Sequence, residues 1–154
     1  MPSIGILAED EMTPEQVKLV RDSFRKIVPI AGVTADLFYD RLFEIAPELR
    51  SLFFEDLVEQ KKKFITMLAT MVTYLDEFKK IAPVVTNLGM RHVAYGVIAK
   101  NYEPFGEALL WTLAETLGVD FTPTARTAWT VAYKNLADVM IAAAESLPSP
   151  KLAC

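Results

Sequence analysis

The sequence predicts an all-α fold, and three observations carry that prediction. Apolar residues recur every three or four positions along most of the chain, the period of one helix face. Proline stands repeatedly just inside the start of such a segment, as in Thr13-Pro14 and Thr122-Pro123, where its missing N–H costs nothing. No run alternates apolar and polar residues between turn signals, as a half-buried strand does.

The elements follow in order. Thr13-Pro14-Glu15-Gln16 reads as an N-cap, a first helical proline and a capping box closed by Gln16. That helix is expected to run to about Val28, ahead of Pro29. A second follows over 32–45, with Leu37, Phe38, Leu42 and Ile45 along one side. Pro47 opens a short turn that leads into Leu52-Phe53-Phe54. A long helix is expected from about Leu57 to Leu75, with Leu57, Gln60, Phe64, Leu68, Met71 and Leu75 on one face. Gln60 is the polar interruption of that face. The next helix is expected to start at Pro83 and end near Tyr95-Gly96. Pro104 and Gly118 bound another, whose stripe is Phe105, Ala108, Leu109, Thr112, Leu113 and Thr116; glycine is the natural stop. The last helix, opened by Thr122-Pro123, carries Ala125, Ala128, Trp129, Ala132, Tyr133, Leu136 and Met140 on one side. Met67, Met71, Tyr133 and Met140 are expected to pack the core. One domain is expected over 12–146, with an N-terminal extension at 1–11 and a C-terminal tail at 147–154.

Composition narrows the function. A chain of 154 residues suits one domain with a single core. Its hydrophobic content of 52% exceeds what such a core consumes, which implies an interface or a bound apolar ligand. The net charge of −4, with Lys61-Lys62-Lys63 as the only basic run, argues against a nucleic-acid partner. No stretch approaches the roughly 20 apolar residues of a membrane span, and the first ten residues lack the basic start of a signal peptide. Cys154 is the single cysteine, so no internal disulfide forms. The expectation is a cytoplasmic protein with neither a nucleic-acid nor a membrane partner.

Little in the chain offers chemistry except His92. One histidine excludes a two-histidine metal site, and no cysteine or acid cluster has zinc spacing. A lone histidine is commonly a structural or surface residue. It is also enough to supply the one axial bond that a haem iron takes from protein.

The surroundings of His92 carry a resemblance. Pro47 and Phe53 stand six apart, Tyr39 precedes them, and Gln60 and Phe64 follow one turn from each other. Leu88-Gly-Met-Arg-His-Val-Ala-Tyr-Gly-Val97 leads into Tyr102-x-x-Phe105-Gly106-x-x-Leu109-Leu110-Trp111. Phe121-Thr-Pro-Thr then precedes Ala128-Trp129 and Ala132-Tyr133. Over about 13–144 the chain resembles the globins, most of all bacterial single-domain globins related to the haem domain of flavohaemoglobins.

That resemblance implies a three-over-three helical sandwich around haem b. His92 takes the role of proximal iron ligand through Nε2, with Nδ1–H donating one turn back, to the carbonyl of Leu88. Phe53 lies flat on the haem. Lys63 reaches a propionate or shares a solvated face with Lys61 and Lys62. Phe64 caps the ligand space, and Leu88, Val97, Tyr102 and Phe105 form wall, with Leu109 beside them and Met140 as a further candidate that helix packing suits better. Tyr39 and Gln60 form the distal pair. A phenol O–H and an amide N–H both donate to a ligand that gathers negative charge, as oxygen does and carbon monoxide does much less. The implied function is reversible binding of oxygen, carbon monoxide and nitric oxide at a five-coordinate iron, since no second histidine exists to close the sixth site. High oxygen affinity through slow release follows. The alternative is a nitric oxide dioxygenase drawing electrons from a separate reductase, because the chain ends at Cys154 with no flavin domain. A peroxidase-like role is a third reading. Tyr102 matches the tyrosine that backs the proximal histidine of flavohaemoglobins, but Glu145 stands one place from their proximal glutamate. One place on a helix is a rotation of about 100°. Both a monomer and a homodimer are compatible with the sequence.

Overall fold

The computed structural model describes residues 12–53, 57–94 and 97–145, the side chains of Phe53, Val93 and Ala94 excepted. The extension 1–11 and the tail 147–154 lie outside the described residues. Six α-helices are present among the described residues: α1 (Pro14–Ile27), α2 (Ala31–Ile45), α3 (Leu57–Thr73), α4 (Phe78–Ala94), α5 (Tyr102–Leu117) and α6 (Pro123–Glu145). Short 3-10 turns join them, and no strand occurs among the described residues.

Most boundaries follow from local chemistry. Thr13 accepts from the Gln16 amide at 3.1 Å while Gln16 returns the bond to the Thr13 amide at 3.0 Å, the reciprocal capping box. Thr122 caps α6 by accepting from the Ala125 amide at 3.2 Å. Gly118 ends α5 at a φ of +57°, where a side chain would be strained. Pro29 interrupts the chain only for one 3-10 turn over Val28–Ile30 before α2 begins.

Two prolines do not mark the starts expected of them. α4 begins at Phe78, not at Pro83, which lies inside the helix. Pro83 forfeits its own hydrogen bond to the preceding turn, but Ile81 and Val85 on either side are buried and hold the helix through it. Pro104 is the third residue of α5, in the first turn where backbone N–H groups have no helical partner anyway.

The helices pack as two layers of three, α1, α3 and α4 against α2, α5 and α6. The most extensive pairings are α4 with α6 and α2 with α5, followed by α1 with α6. One continuous core joins them, with Val20, Ile27, Leu42, Met71, Leu113 and Trp129 fully buried. Arg21 ties α1 to the end of α3 by donating to the carbonyls of Val72 (3.1 Å) and Thr73 (2.8 Å), which have no helical donor left. Lys61 of α3 pairs with Asp36 of α2 at 2.8 Å, one residue from Gln60 and three from Tyr39. No helix among the described residues is long and apolar enough to cross a membrane.

Candidate functional site

A cavity of about 480 Å3 opens between α2, α3, α4, α5 and α6. That size lies within the range of ligand sites of roughly 300–1,000 Å3. Its wall is mostly apolar, and it brings together Tyr39 of α2, Gln60, Lys63 and Phe64 of α3, Leu88 and His92 of α4, and Tyr102, Phe105 and Leu109 of α5. These residues span more than sixty positions of sequence, and the fold collects them at one place. Val97 is not among the described wall residues. It is buried in the core, and its amide donates to the His92 carbonyl at 3.0 Å, which closes the end of α4. The Phe53 side chain lies outside the described residues.

His92 has the geometry of a histidine prepared for a metal. Its Nδ1 lies 2.8 Å from the Leu88 carbonyl one turn back, which fixes the tautomer with the proton on Nδ1 and assigns metal binding to Nε2. Burial lowers the imidazole pKa below its ordinary value of 6.5; the Leu88 bond opposes this and neighbouring Arg91 adds to it. The neutral ring that a metal requires is therefore the resting form. Tyr102 lies nearly parallel to the imidazole, with ring centres 6.5 Å apart.

On α2 and α3 the wall is aromatic around one polar pair. Tyr39 is buried, and the Gln60 side chain hydrogen-bonds its hydroxyl. Burial pushes the phenol up to about 12, against the Gln60 bond that favours the phenolate. Tyr39 thus keeps its proton throughout the physiological range. Phe38 and Phe64 stack at 4.2 Å, and Tyr39 meets the edge of that stack, 5.0 Å from Phe38 and 5.8 Å from Phe64.

Several wall residues were not legible as such. Met67, Met71 and Tyr133 read as core from the sequence, and Met140 as core or wall, yet all four line the cavity. Tyr133 does so while donating to the Tyr102 carbonyl at 2.7 Å. Phe38, Lys62 and Arg91 join the wall as well. They adjoin Tyr39, Lys63 and His92 in sequence, which is the only signal that pointed to them. Glu145 is exposed at the last residue of α6, and among the described residues the only acid in the wall is Glu59 of α3.

The residues present fit haem. The cavity offers a mostly apolar slot, one neutral histidine oriented through its other nitrogen, and the cations Lys62, Lys63 and Arg91 in its wall, which can pair with carboxylates.

Comparison with known proteins agrees. A globin family model matches residues 36–140, and the chain belongs to the globin family, whose members bind haem. It is 33% identical over 133 residues to a flavohemoprotein of Bordetella parapertussis, covering 84% of this chain and 33% of that protein. The chain thus spans about a third of the length of that relative. It is 26% identical over 145 residues to neuroglobin of Danio rerio, covering 85% of this chain and 91% of that one. Among solved structures it is similar to an engineered carbene transferase built on RmaNOD, a candidate nitric oxide dioxygenase from Rhodothermus marinus. The TM-score is 0.79 at 28% identity, covering 87% of this chain and 94% of the other.

Proposed function

We propose that this globin holds haem b through His92 Nε2 and reversibly binds oxygen and other diatomic gases with high oxygen affinity, in the cytoplasm, as a monomer or a homodimer. The observation that carries this reading is the buried Tyr39–Gln60 pair sharing one cavity with the oriented imidazole of His92.

Haem bound there would supply a ferrous iron with one coordination position open to a gas. Leu88, Phe105 and the stacked Phe38 and Phe64 exclude water from the slot, and Lys63 would meet a propionate at its rim, with Lys62 and Arg91. Tyr39 and Gln60 present O–H and N–H donors, and in a dry aromatic pocket such bonds act more strongly than in water. They favour a gas that gathers negative charge. With His92 the single histidine, no second imidazole competes for the sixth position.

The alternative is nitric oxide dioxygenase activity with electrons from a separate reductase. Likeness to the flavohemoprotein and to the RmaNOD-derived structure favours it. Against it stands the proximal side: the Nδ1–H of His92 donates to a neutral carbonyl, and Glu145 is exposed. A neutral carbonyl at Nδ1 draws less electron density onto the imidazole than a carboxylate would, which supports binding over oxygen activation.

An absorption spectrum of the purified protein tests the common part: an intense Soret band that shifts with carbon monoxide is expected, and a low-spin bis-histidine spectrum would refute the assignment. Sustained nitrate formation over many turnovers with an added reductase would move the conclusion to the alternative. A single stoichiometric burst would not, because any oxygenated globin reacts once.

A further inference from the structure

Helices α4 and α6 meet at Gly89. A Cβ on Gly89 would lie 2.7 Å from the carbonyl oxygen of Met140 and 2.8 Å from its Cα. Those are backbone atoms, which no rotamer change moves aside. The two helices therefore touch main chain to main chain, one turn before His92. Glycine within a helix is destabilising relative to alanine, and here alanine has no room.

Gly89 has a second connection to the site. The peptide that joins Leu88 to Gly89 carries the carbonyl that accepts the His92 Nδ1–H at 2.8 Å. One residue thus belongs both to the contact that sets how closely α4 approaches α6 and to the peptide unit that orients the imidazole. Met140, on the other side of the contact, lines the same cavity. The other glycine contacts differ in kind. A Cβ on Gly106 would meet the Tyr133 side chain at 2.8 Å, and nothing lies within 4 Å of one on Gly32.

We propose that Gly89 is a positioning residue for His92, its seat on the Met140 main chain fixing the depth and rotation at which the imidazole enters the cavity. The proposal rests on the haem reading above. An alanine at 89 wedges α4 away from α6 and carries the Leu88 carbonyl with it, so Nε2 is withdrawn and turned. Misplacement of this kind acts on a metal bond as the loss of an outer partner does.

The test compares wild type, Gly89→Ala and Gly32→Ala as haem-loaded ferrous proteins. Gly89→Ala should lower the iron–histidine stretching frequency in resonance Raman spectra and speed haem loss by roughly 10–100-fold, the range for outer partners of metal ligands. Gly32→Ala, with nothing within 4 Å of the added Cβ, should leave that frequency in place. In a His92→Gly background with free imidazole supplied as ligand, the tether is cut, so adding Gly89→Ala should leave the iron–imidazole stretch unmoved. An unchanged frequency in Gly89→Ala overturns the proposal, as does a shift that persists with free imidazole. Should Gly89→Ala alone fail to fold, the same comparison is read in a Gly32→Ala, Thr112→Val background. A wild-type protein without a Soret band overturns the haem reading itself, and is seen before any variant is made.

Discussion

Tyr39 shows how much a single side chain decides. It is only 4% exposed, among the rings of Phe38, Phe43 and Phe64, with its hydroxyl bonded by Gln60. Removing one partner of a buried hydrogen bond costs about 1–3 kcal/mol, and each 1.36 kcal/mol is a factor of about ten in rate. Tyr39→Phe should therefore speed oxygen dissociation about 5- to 150-fold in stopped-flow measurements; an acceleration below about threefold would sink the distal account. The same burial has a pH signature. Because the folded phenol sits at about 12, above its ordinary 10.0, the unfolded chain loses this proton first. The stability tied to protonated Tyr39 is thus complete below pH 10.0 and is lost as pH rises to about 12. Denaturation midpoints across that window should fall less steeply in Tyr39→Phe than in wild type. At this scale Gln60 was legible as the polar interruption of an apolar face, and the role of Tyr39 came only with the resemblance to globins. Phe38 was not, since its role comes from a stack with Phe64 across two helices, and no spacing within one helix encodes that.

The helices illustrate where local signals suffice. The capping box at Thr13 reads directly from sequence and is present in the fold. Thr13→Ala should lower stability by about 1 kcal/mol, measured as a shift in urea midpoint. Gly118 at a φ of +57° is equally local, and Gly118→Ala should cost about 1–3 kcal/mol. Gly32 is the reverse case: with open space around it, Gly32→Ala should stabilise by up to about 1 kcal/mol. Thr112 is fully buried on α5 with its hydroxyl lacking a partner among the described residues. An isosteric Thr112→Val removes that unsatisfied group and should raise the thermal midpoint. Pro83 marks the limit of such reading. A proline is a start signal only while the preceding residues have no reason to be helical, and burial of Leu75, Ile81 and Val85 supplies that reason.

At the scale of the whole molecule, the cavity links five of the six helices described, so its ligand should stabilise all of them together. Haem binding to the folded state alone adds RT ln(1 + [L]/Kd), about 4 kcal/mol at a thousandfold excess over Kd. Titrating haem into the haem-free protein should raise the thermal midpoint, and His92→Gly should abolish most of that rise. An equal rise in the variant would show that His92 is not the anchor.

Amphipathic period, proline and cap placement, and the lone histidine among apolar faces were properties of the sequence by itself. They determined an all-helical domain, because short-range sterics and hydrogen bonding act within a turn or two of chain, while the role of His92 came with the resemblance to globins. Only the tertiary structure decided which residues share the cavity: that Met67 and Met71 are wall as well as core, that Glu145 is exposed, and that Gly89 seats α4 on the backbone of α6. Those outcomes depend on how closely and at what rotation two helices meet, and that is set by volumes on both partners at once.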